Sequence, residues 1–259
     1  CKRIIHGWGD KLSYKVGSFH DSDGASRISF APNAFYALSG MIKKDLSLKD
    51  TAVADIRKLG SRFGIKTNTP AFPKSMKGIG RIANTVPGTA ENSCAYVHAS
   101  MFSIMALFAM GQSEIAWKEF EKSMVISHDH VSHSAFVMPN SYCENQELNF
   151  NGESLGDWYT GSGTVLIKGL VRFGFGLEPS LDGLTIQTPK FMPTNRASLT
   201  AIVKGCEVAL NYENNNSGDR KYFINGKLVE SVYDEITENK KVFINRELLK
   251  EKIIINVVD

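Results

Sequence analysis

The stretch PGTAENSCAYVHASMFSIMALFAMG, from Pro87 to Gly111, organises the rest of the chain. It opens with turn residues and a carboxylate, continues as an apolar segment with one histidine, and ends at a glycine. We predict a helix over residues 93–110. A helix without a polar face lies inside a packed core, and its apolar run of about ten residues is too short to span a bilayer. Glu91 and His98 are therefore expected at or near the interior, where ionisable groups are costly unless paired.

The composition is that of an ordinary soluble globular protein with one large domain or two smaller ones. Of 259 residues, 42% are hydrophobic and 22% are charged, and the formal net charge is +3. This charge is too small, and the lysines are too dispersed, to predict a nucleic-acid partner. We expect no signal peptide and no membrane partner. The four cysteines lack metal-binding spacing, so we expect free thiols in a cytoplasmic protein.

The first 180 residues favour helices separated by loops. A long loop over residues 126–159 is unusual in a compact domain, and such loops are often functional or disordered. Its aromatic, histidine and asparagine content argues against disorder. The predicted helices are Ala31–Leu46, a second helix that is capped by Ser47 and runs to Phe63 before Gly64, the helix over 93–110, Ser113–Val125 and Ser162–Phe173.

From Leu184 onward the pattern changes to short β-branched segments with a period of two residues, which is typical of strands. Asn225–Gly226, between KYFI and KLVES, predicts a two-residue hairpin turn. We therefore predict a mainly α fold with a β module: a helical domain over residues 1–180 and an all-β domain over residues 181–259.

Two roles are open for Glu91 and His98. In a structural role, Glu91 caps the start of the helix and His98 is a core histidine whose hydrogen bonds are satisfied. In a functional role, the two ionisable groups mark a site in the interior. Burial alone does not favour one role over the other.

The segment DWYTGSG, from Asp157 to Gly163, leads directly into a helix. Glycines at a helix N-terminus let backbone N–H groups approach an anion, and the helix dipole favours negative charge there. Thr160 and Gly161 are therefore candidates for an anion site. A helix start with flexible glycines is the structural alternative, since the segment matches neither nucleotide-binding fingerprint.

Two further groups of residues carry less specific patterns. The histidines of HDHVSH, at positions 128–133, do not match the HExxH zinc pattern, and we favour a polar loop over a metal site. Loop aromatics with polar tips suit sugar stacking as well as ordinary packing. The aromatics in question are Trp8, Phe136, Tyr142, Trp158 and Tyr159.

Three segments of the chain resemble motifs of a known family. PGTAENSCAYVHASMF resembles the ENGxxYxHAxxF motif of the inverting carbohydrate phosphorylases of glycoside hydrolase family 94, which includes cellobiose, chitobiose and 1,2-β-oligoglucan phosphorylases. GDWYTGSGTVLIKGLVRFGFGLEPSLDGLTI resembles the Trp-(Leu/Tyr)-Thr-Gly-(Thr/Ser)-(Ala/Gly) motif of the same family and its entry into a C-terminal β-domain. HGWGDKLSYKVGSFHDSDGASRISFAPNAFYALSG is similar to a segment that ends in Leu-Ser-Gly.

The resemblance implies a fold and a reaction. The fold is the C-terminal part of an (α/α)6 barrel followed by a jelly-roll-like β-sandwich. The reaction is phosphorolysis of a β-glucosidic bond with inversion, which gives α-glucose 1-phosphate without a metal or other cofactor. By similarity, His98, Thr160 and Gly161 bind phosphate, while Glu91, Trp158 and Tyr142 contact a β-linked oligosaccharide.

The sequence also departs from the family. Ser-Ala-Phe at 134–136 stands where many members have Glu-Pro-Tyr, and WGDKLSYK at 8–15 departs from the Trp-Asp-Gly run. The family's general acid, an aspartate upstream of the histidine motif, has no counterpart, so no catalytic residue is assigned. CKRIIHGWGD reads as the middle of a domain. We therefore expect a fragment whose partner is the N-terminal remainder of the same enzyme, with a homodimer as a further expectation.

Three functions follow as hypotheses. The first is a phosphorylase, with the 1,2-β-oligoglucan branch favoured by the Pro139–Tyr142 region. Phosphate is an anionic nucleophile, so one acid and several positioning donors suffice. The second is an inverting hydrolase on the same scaffold, which uses water and needs a base. The third is a non-catalytic carbohydrate-binding subunit. We also expect the isolated chain to be inactive and poorly stable, because half a barrel exposes apolar helix faces.

Overall fold

The computed structural model describes residues 27–128, 130–157, 160–215 and 217–259. Five α-helices occupy the first part of this region, and two larger β-sheets occupy the second. Short 3₁₀ turns and two-residue strands connect the helices. The helices are α1 (Phe30–Leu38), α2 (Lys49–Arg57), α3 (Val97–Ala109), α4 (Ser113–Ser123) and α5 (Ser162–Gly169).

Helix α3 is the centre of the helical part. Ten of its thirteen residues are buried, and it packs against α1, α4 and α5. Gly169 allows the close approach of α5, since a Cβ atom there would lie 2.8 Å from Cε of Met101. Met101, Ile104 and Leu107 are fully buried in one hydrophobic cluster with residues of the other four helices. The prediction of a core helix in this stretch is therefore confirmed.

The start of α3 differs from the prediction. The helix begins at Val97 rather than at residue 93, because β5 (Ala95–Tyr96) pairs with β6 (Ser141–Tyr142). Ser93 also has a left-handed backbone, with φ of 68°, which no helix accommodates. β6 pairs in turn with β7 (Ser154–Leu155) to form a three-stranded sheet. The predicted loop over 126–159 therefore contains two strands.

The predicted boundaries of the first two helices are wrong. Helix α1 ends at Leu38, because Gly40 adopts a left-handed turn with φ of 75°, and two 3₁₀ turns, Met41–Lys44 and Leu46–Leu48, follow. Ser47 does not cap α2. It lies inside the second 3₁₀ turn, which Asp45 caps by accepting the backbone N–H of Ser47, and the N-cap of α2 is Leu48.

Helix α2 ends six residues before Phe63. The chain then turns back in a hairpin between β2 (Gly60–Ser61) and β3 (Gly64–Ile65). Gly64 lies in β3 with φ of 119° rather than after a helix. The hairpin buries Leu59, Phe63 and Ile65, so the apolar spacing that we read as helical belongs to a turn. A further short pair joins β1 (Ile28–Ser29) to β4 (Asn68–Thr69).

After α5 and a π-helical turn at Leu170–Gly174, the chain forms two sheets. In spatial order, the five-stranded sheet contains β10 (Arg196–Val203), β11 (Cys206–Glu213), β16 (Lys252–Val258), β12 (Lys221–Ile224) and β13 (Lys227–Val229). The four-stranded sheet contains β14 (Val232–Asp234), β15 (Asn239–Asn245), β9 (Gly183–Ile186) and β8 (Leu177–Pro179).

The two sheets share one hydrophobic cluster, to which both contribute alternate residues such as Val208 and Leu210 on β11 and Val242 and Ile244 on β15. Neighbouring strands are antiparallel except β11 and β16. The predicted hairpin at Asn225–Gly226 is confirmed, with φ of 48° and 79°. Helices and β-sheets therefore follow in the predicted order, whereas the barrel, the jelly roll and the boundary at residue 180 stay predictions.

Polar contacts join the helices to the sheets. The Lys49 ammonium lies 2.6 Å from the Glu238 carboxylate. The indole of Trp117 donates to the carbonyl of Phe191 at 3.2 Å, and the backbone N–H of Phe191 donates to Ser113 Oγ at 2.9 Å. These contacts join the β9–β10 connection to α4 and the β14–β15 connection to α2.

The described residues contain neither a membrane-spanning helix nor a disulfide bond. Within that part of the chain, no helix has the length and apolarity needed to cross a membrane. Cys94, Cys143 and Cys206 are buried free thiols, as predicted, and burial raises the pKa of Cys94 to about 12. Cys1 lies outside the described residues.

Candidate functional site

A cleft of about 430 Å³ lies between the start of α1, the segment 67–82 and the start of α3. Its walls are largely apolar, and a few polar groups converge on it, which is the usual make-up of a small-molecule site. Glu91 and His98 both contact this cleft. The lining residues are Ser29, Phe30, Ala31, Pro32, Thr67, Asn68, Phe72, Ile79, Ile82, Glu91, Tyr96, His98, Ala99 and Phe102.

His98 is the second residue of α3 and is half-buried. Its imidazole lies beside two aromatic rings, with centroid distances of 5.4 Å to Phe102 and 6.4 Å to Tyr96. These rings restrict the orientation of the imidazole, while its partial exposure leaves it accessible from the cleft. His98 is therefore not enclosed as a core histidine.

The structure brings the TGSG segment to His98. A Cβ atom on Gly161 would lie 3.7 Å from Cε1 and 3.8 Å from Nδ1 of the His98 imidazole. Gly161 is the N-cap residue of α5 and is exposed. Two elements about 60 residues apart in sequence therefore meet. The glycine segment was predicted as an anion site from its own pattern, whereas only the family resemblance assigned His98 to phosphate.

Thr160 orders this end of α5. Its Oγ1 accepts the backbone N–H of Ser162 at 3.1 Å and lies 2.6 Å from Ser162 Oγ. Ser162 is fully buried, so the hydroxyl contact fixes the turn to the protein interior. A helix N-terminus carries N–H groups without intrahelical acceptors and a partial positive charge. An imidazole beside such a terminus is suited to binding an anion.

Glu91 lies on the cleft wall but does not cap α3. It precedes the first helical residue by six positions, and its carboxylate lies 2.5 Å from Arg81 Nη2. The Glu91 side chain is 34% exposed, and that of Arg81 is 77% exposed. The structural role that we considered for Glu91, helix capping, is wrong, because β5 separates it from the helix.

Asn92 is a residue that the sequence did not single out. It is fully buried and its side chain binds both backbone groups of Phe72: Oδ1 accepts the N–H at 2.8 Å, and Nδ2 donates to the carbonyl at 3.0 Å. The Arg27 guanidinium lies 4.2 Å above the Phe72 ring. Asn92 thus links the Glu91 turn to an aromatic wall of the cleft. The sequence signal that could have found it is its place directly after Glu91, as the Asn of the ENGxxYxHAxxF motif.

Tyr142 is placed away from the cleft. Its side chain is fully buried, stacked on Phe63 at 5.3 Å and edge-on to His128 at 4.9 Å. Burial raises the pKa of the Tyr142 phenol, and the Asp157 carboxylate adds to this, against a hydrogen bond from Ser132. A sugar has no access to this ring without displacing its neighbours, so the placement supports a packing role.

Some predicted residues lie outside the described part of the chain. Trp158, a predicted sugar contact, is among them, as are Tyr159, Trp8 and Asp129. Phe136 is described and is 95% exposed. Among the described residues, no group of three or more histidine, cysteine, aspartate or glutamate side chains could hold a metal ion.

His128 of the histidine-rich segment is a buried, packed residue. Its Nε2–H donates to the carbonyl of Lys122 at 2.6 Å, and its ring lies 4.9 Å from Phe63. Burial lowers its pKa below the usual 6.5, despite the opposing hydrogen bond to Lys122.

The low pKa of His128 predicts a pH-dependent stability. Below pH 6.5 the unfolded chain binds a proton at this position more readily than the folded chain, so unfolding free energy falls as pH falls. Urea unfolding at about pH 7.5 and about pH 5.5 measures this change. In His128→Gln, which keeps an N–H donor but does not titrate, the dependence should be shallower. An equal pH dependence in both proteins would contradict the assignment.

The chain is similar in sequence to a family of known proteins. Residues 3–176 match the family model described as "Glycosyl hydrolase 94 superfamily, catalytic domain". The chain is 24% identical over 220 residues to solabiose phosphorylase of Paenibacillus borealis. The matched region is 82% of this chain and 28% of that protein.

Two further relatives are also phosphorylases by name. One is 3-O-beta-D-glucopyranosyl-beta-D-glucuronide phosphorylase of Paenibacillus borealis, 26% identical over 141 residues, or 53% of this chain and 18% of that protein. The other is cellobionic acid phosphorylase of Neurospora crassa, 29% identical over 92 residues, or 36% of this chain and 12% of that protein. The matches thus span 28% or less of the length of these relatives. Because the family model covers more than half of the chain, the chain belongs to the glycosyl hydrolase 94 superfamily.

Proposed function

We propose that this chain is part of an inverting carbohydrate phosphorylase that cleaves a β-glucosidic bond with inorganic phosphate and gives α-glucose 1-phosphate. The observation that carries the proposal is the proximity of His98 to the N-terminus of α5, where a Cβ atom on Gly161 would lie 3.7 Å from Cε1 of the imidazole. Membership of the superfamily and the phosphorylase names of the three relatives support it.

In the proposed reaction, a phosphate oxygen attacks the anomeric carbon of the glucosyl unit from the face opposite the leaving sugar. The new C–O bond forms as the glycosidic C–O bond breaks, and the leaving oxygen takes a proton from a general acid. We assign this acid to the N-terminal remainder of the enzyme. Phosphate is already anionic, so positioning rather than deprotonation is the main task of this part of the protein.

His98 and the start of α5 carry out this positioning. A protonated or N–H-donating imidazole and the N–H groups of the first helical turn bind phosphate oxygens, and such charge-assisted hydrogen bonds are the stronger kind. Thr160 fixes the turn through Ser162. The phosphate would then occupy the space beside Gly161, which carries no side chain to fill it.

The sugar would occupy the cleft next to this phosphate position. Glu91 accepts sugar hydroxyls, and its ion pair with Arg81 orients the carboxylate. Trp158 precedes Thr160 by two residues and stays a proposed sugar contact. Tyr142 packs on Phe63 and His128 in the interior rather than contacting the sugar, since it is fully buried.

We propose a β-linked glucan oligosaccharide as the substrate, with the 1,2-β-oligoglucan branch favoured by the resemblance of the Pro139–Tyr142 region. The three relatives are named for different disaccharides or sugar acids, so their names do not select a linkage. The (α/α)6 barrel, completed by the N-terminal remainder, and a jelly-roll-like β-domain complete the proposed architecture. The homodimer and the cytoplasmic location stay predictions.

Phosphate dependence tests the proposed function. The complete enzyme, incubated with β-linked gluco-oligosaccharides and inorganic phosphate, should release α-glucose 1-phosphate, and cleavage should stop when phosphate is omitted. Proton and phosphorus NMR identify the product and its anomeric configuration. Release of free glucose at a rate indifferent to phosphate would indicate a hydrolase. Binding of oligosaccharides without cleavage would indicate a non-catalytic subunit.

A further inference from the structure

Asp157 is a buried carboxylate that the proposed reaction does not use. It lies three residues before Thr160, at the start of the segment that leads to α5. Its side chain is only 4% exposed. A buried carboxylate is costly unless its oxygens are hydrogen-bonded, so its contacts indicate why the chain has a carboxylate there.

The two carboxylate oxygens of Asp157 have different surroundings. Its Oδ2 accepts the hydroxyl of Ser154 at 3.0 Å and lies 3.9 Å from His133 Nε2. Within the described part of the chain, Oδ1 is buried and has no hydrogen-bond partner. A carboxylate selected for stability alone would have both oxygens satisfied. This one has a single directional bond, which fixes its position at a cost in stability.

The Ser154 hydroxyl connects Asp157 to the sheet that leads to His98. Ser154 Oγ accepts the backbone N–H of His133 at 3.1 Å, so both its donor and acceptor functions are used. Ser154 lies on β7, opposite Tyr142 on β6. β6 pairs with β5, and β5 is followed directly by α3, whose second residue is His98.

We propose that Asp157 is a positioning residue for the phosphate site. Through Ser154 it joins the chain, three residues before Thr160, to the three-stranded sheet whose strand β5 leads into α3 and His98. The two halves of the anion site, the imidazole and the α5 N-terminus, therefore share one support. This inference rests on the proposed function, since it assigns Asp157 a task in that same site.

Substitutions at Asp157 and Ser154 in the complete enzyme test the inference. Asp157→Ala removes the acceptor for Ser154 and should raise the KM for phosphate by about tenfold, because a small misplacement of a positioned group is enough. The kcat at saturating phosphate and the KM for the oligosaccharide should change much less. Ser154→Ala should shift the KM for phosphate in the same direction.

Conservative and surface variants separate positioning from general stability. Asp157→Asn keeps a carbonyl that can accept the Ser154 hydroxyl, so its KM for phosphate should stay near that of the wild type. Glu153→Ala changes an exposed neighbour and should leave all parameters unchanged. Thermal melting of each variant shows whether the fold is retained.

Two outcomes would overturn the inference. If the wild type cleaves only with phosphate but both Asp157→Ala and Ser154→Ala keep its KM for phosphate, Asp157 does not position the site. If Asp157→Asn loses phosphate affinity as fully as Asp157→Ala, the Ser154 bond is not the reason. A wild type whose cleavage is indifferent to phosphate would instead overturn the proposed function, and this inference with it.

Discussion

Replacing His98 with alanine should weaken phosphate use by roughly tenfold to hundredfold, because a hydrogen bond to a charged group contributes about 1.5–3 kcal/mol. The loss should be seen as a higher KM for phosphate in the complete enzyme. The imidazole is half-buried between aromatic rings and not in the closed core, so the variant should fold. Steady-state kinetics with varied phosphate measure the effect.

His130→Ala is the matched control for this variant. His130 is exposed, lies outside the cleft, and its Nε2 is 3.5 Å from Arg62 Nη2. Its removal should leave the KM for phosphate unchanged. If His98→Ala keeps the wild-type KM for phosphate, or if both histidine variants lose activity equally, His98 does not bind phosphate.

Adding a single methyl group at Gly161 should have a comparably large effect. The Cβ of Gly161→Ala would sit 3.7 Å from the His98 ring, which is an ordinary contact that requires no movement of the protein. The backbone at Gly161, with φ of −82°, also accepts alanine. The methyl group would nevertheless fill the space proposed for a phosphate oxygen, so phosphate affinity should fall by about a hundredfold.

Gly163→Ala is the control, since a Cβ atom there would meet no atom within 4 Å. It places the same methyl group two residues further along the same helix start. The contrast between the two variants reports on the position beside His98 rather than on helix propensity. Equal phosphate affinities in Gly161→Ala and Gly163→Ala would show that phosphate does not bind beside Gly161.

The elements that the sequence predicted well are those with strong local patterns. Helix α3 has an apolar run with no polar face, and the β-rich region alternates with a period of two and contains Asn225–Gly226. In these segments the local preference agrees with the tertiary environment. Residues 157–163 were identified for the same reason, because glycines at a helix start indicate a possible anion site from the local sequence alone.

The errors arise where long-range contacts decide the local structure. Nothing near Ser93 reveals that residues 95–96 pair with a strand more than 40 residues later. The apolar spacing from Leu59 to Ile65 is compatible with a helix, but these residues form a hairpin in which Gly60 pairs with Ile65. Tyr142 was grouped with loop aromatics, yet it stacks on Phe63 in the interior.

The site itself was only partly predictable. His98, Thr160 and Gly161 were each singled out from sequence, but their proximity is a property of how α5 packs on α3. Phe72 forms an aromatic wall of the cleft, and Asn92, 20 residues later in the chain, holds its backbone through two hydrogen bonds. Single-sequence patterns carry no information on such pairs.

The most direct test of the account is a crystal structure of the complete enzyme with inorganic phosphate at saturating concentration. We predict that phosphate binds between the His98 imidazole and the backbone of Thr160–Gly161, with oxygens within hydrogen-bond distance of both. A structure in which phosphate is bound elsewhere, and the space beside Gly161 stays empty, would contradict the central claim.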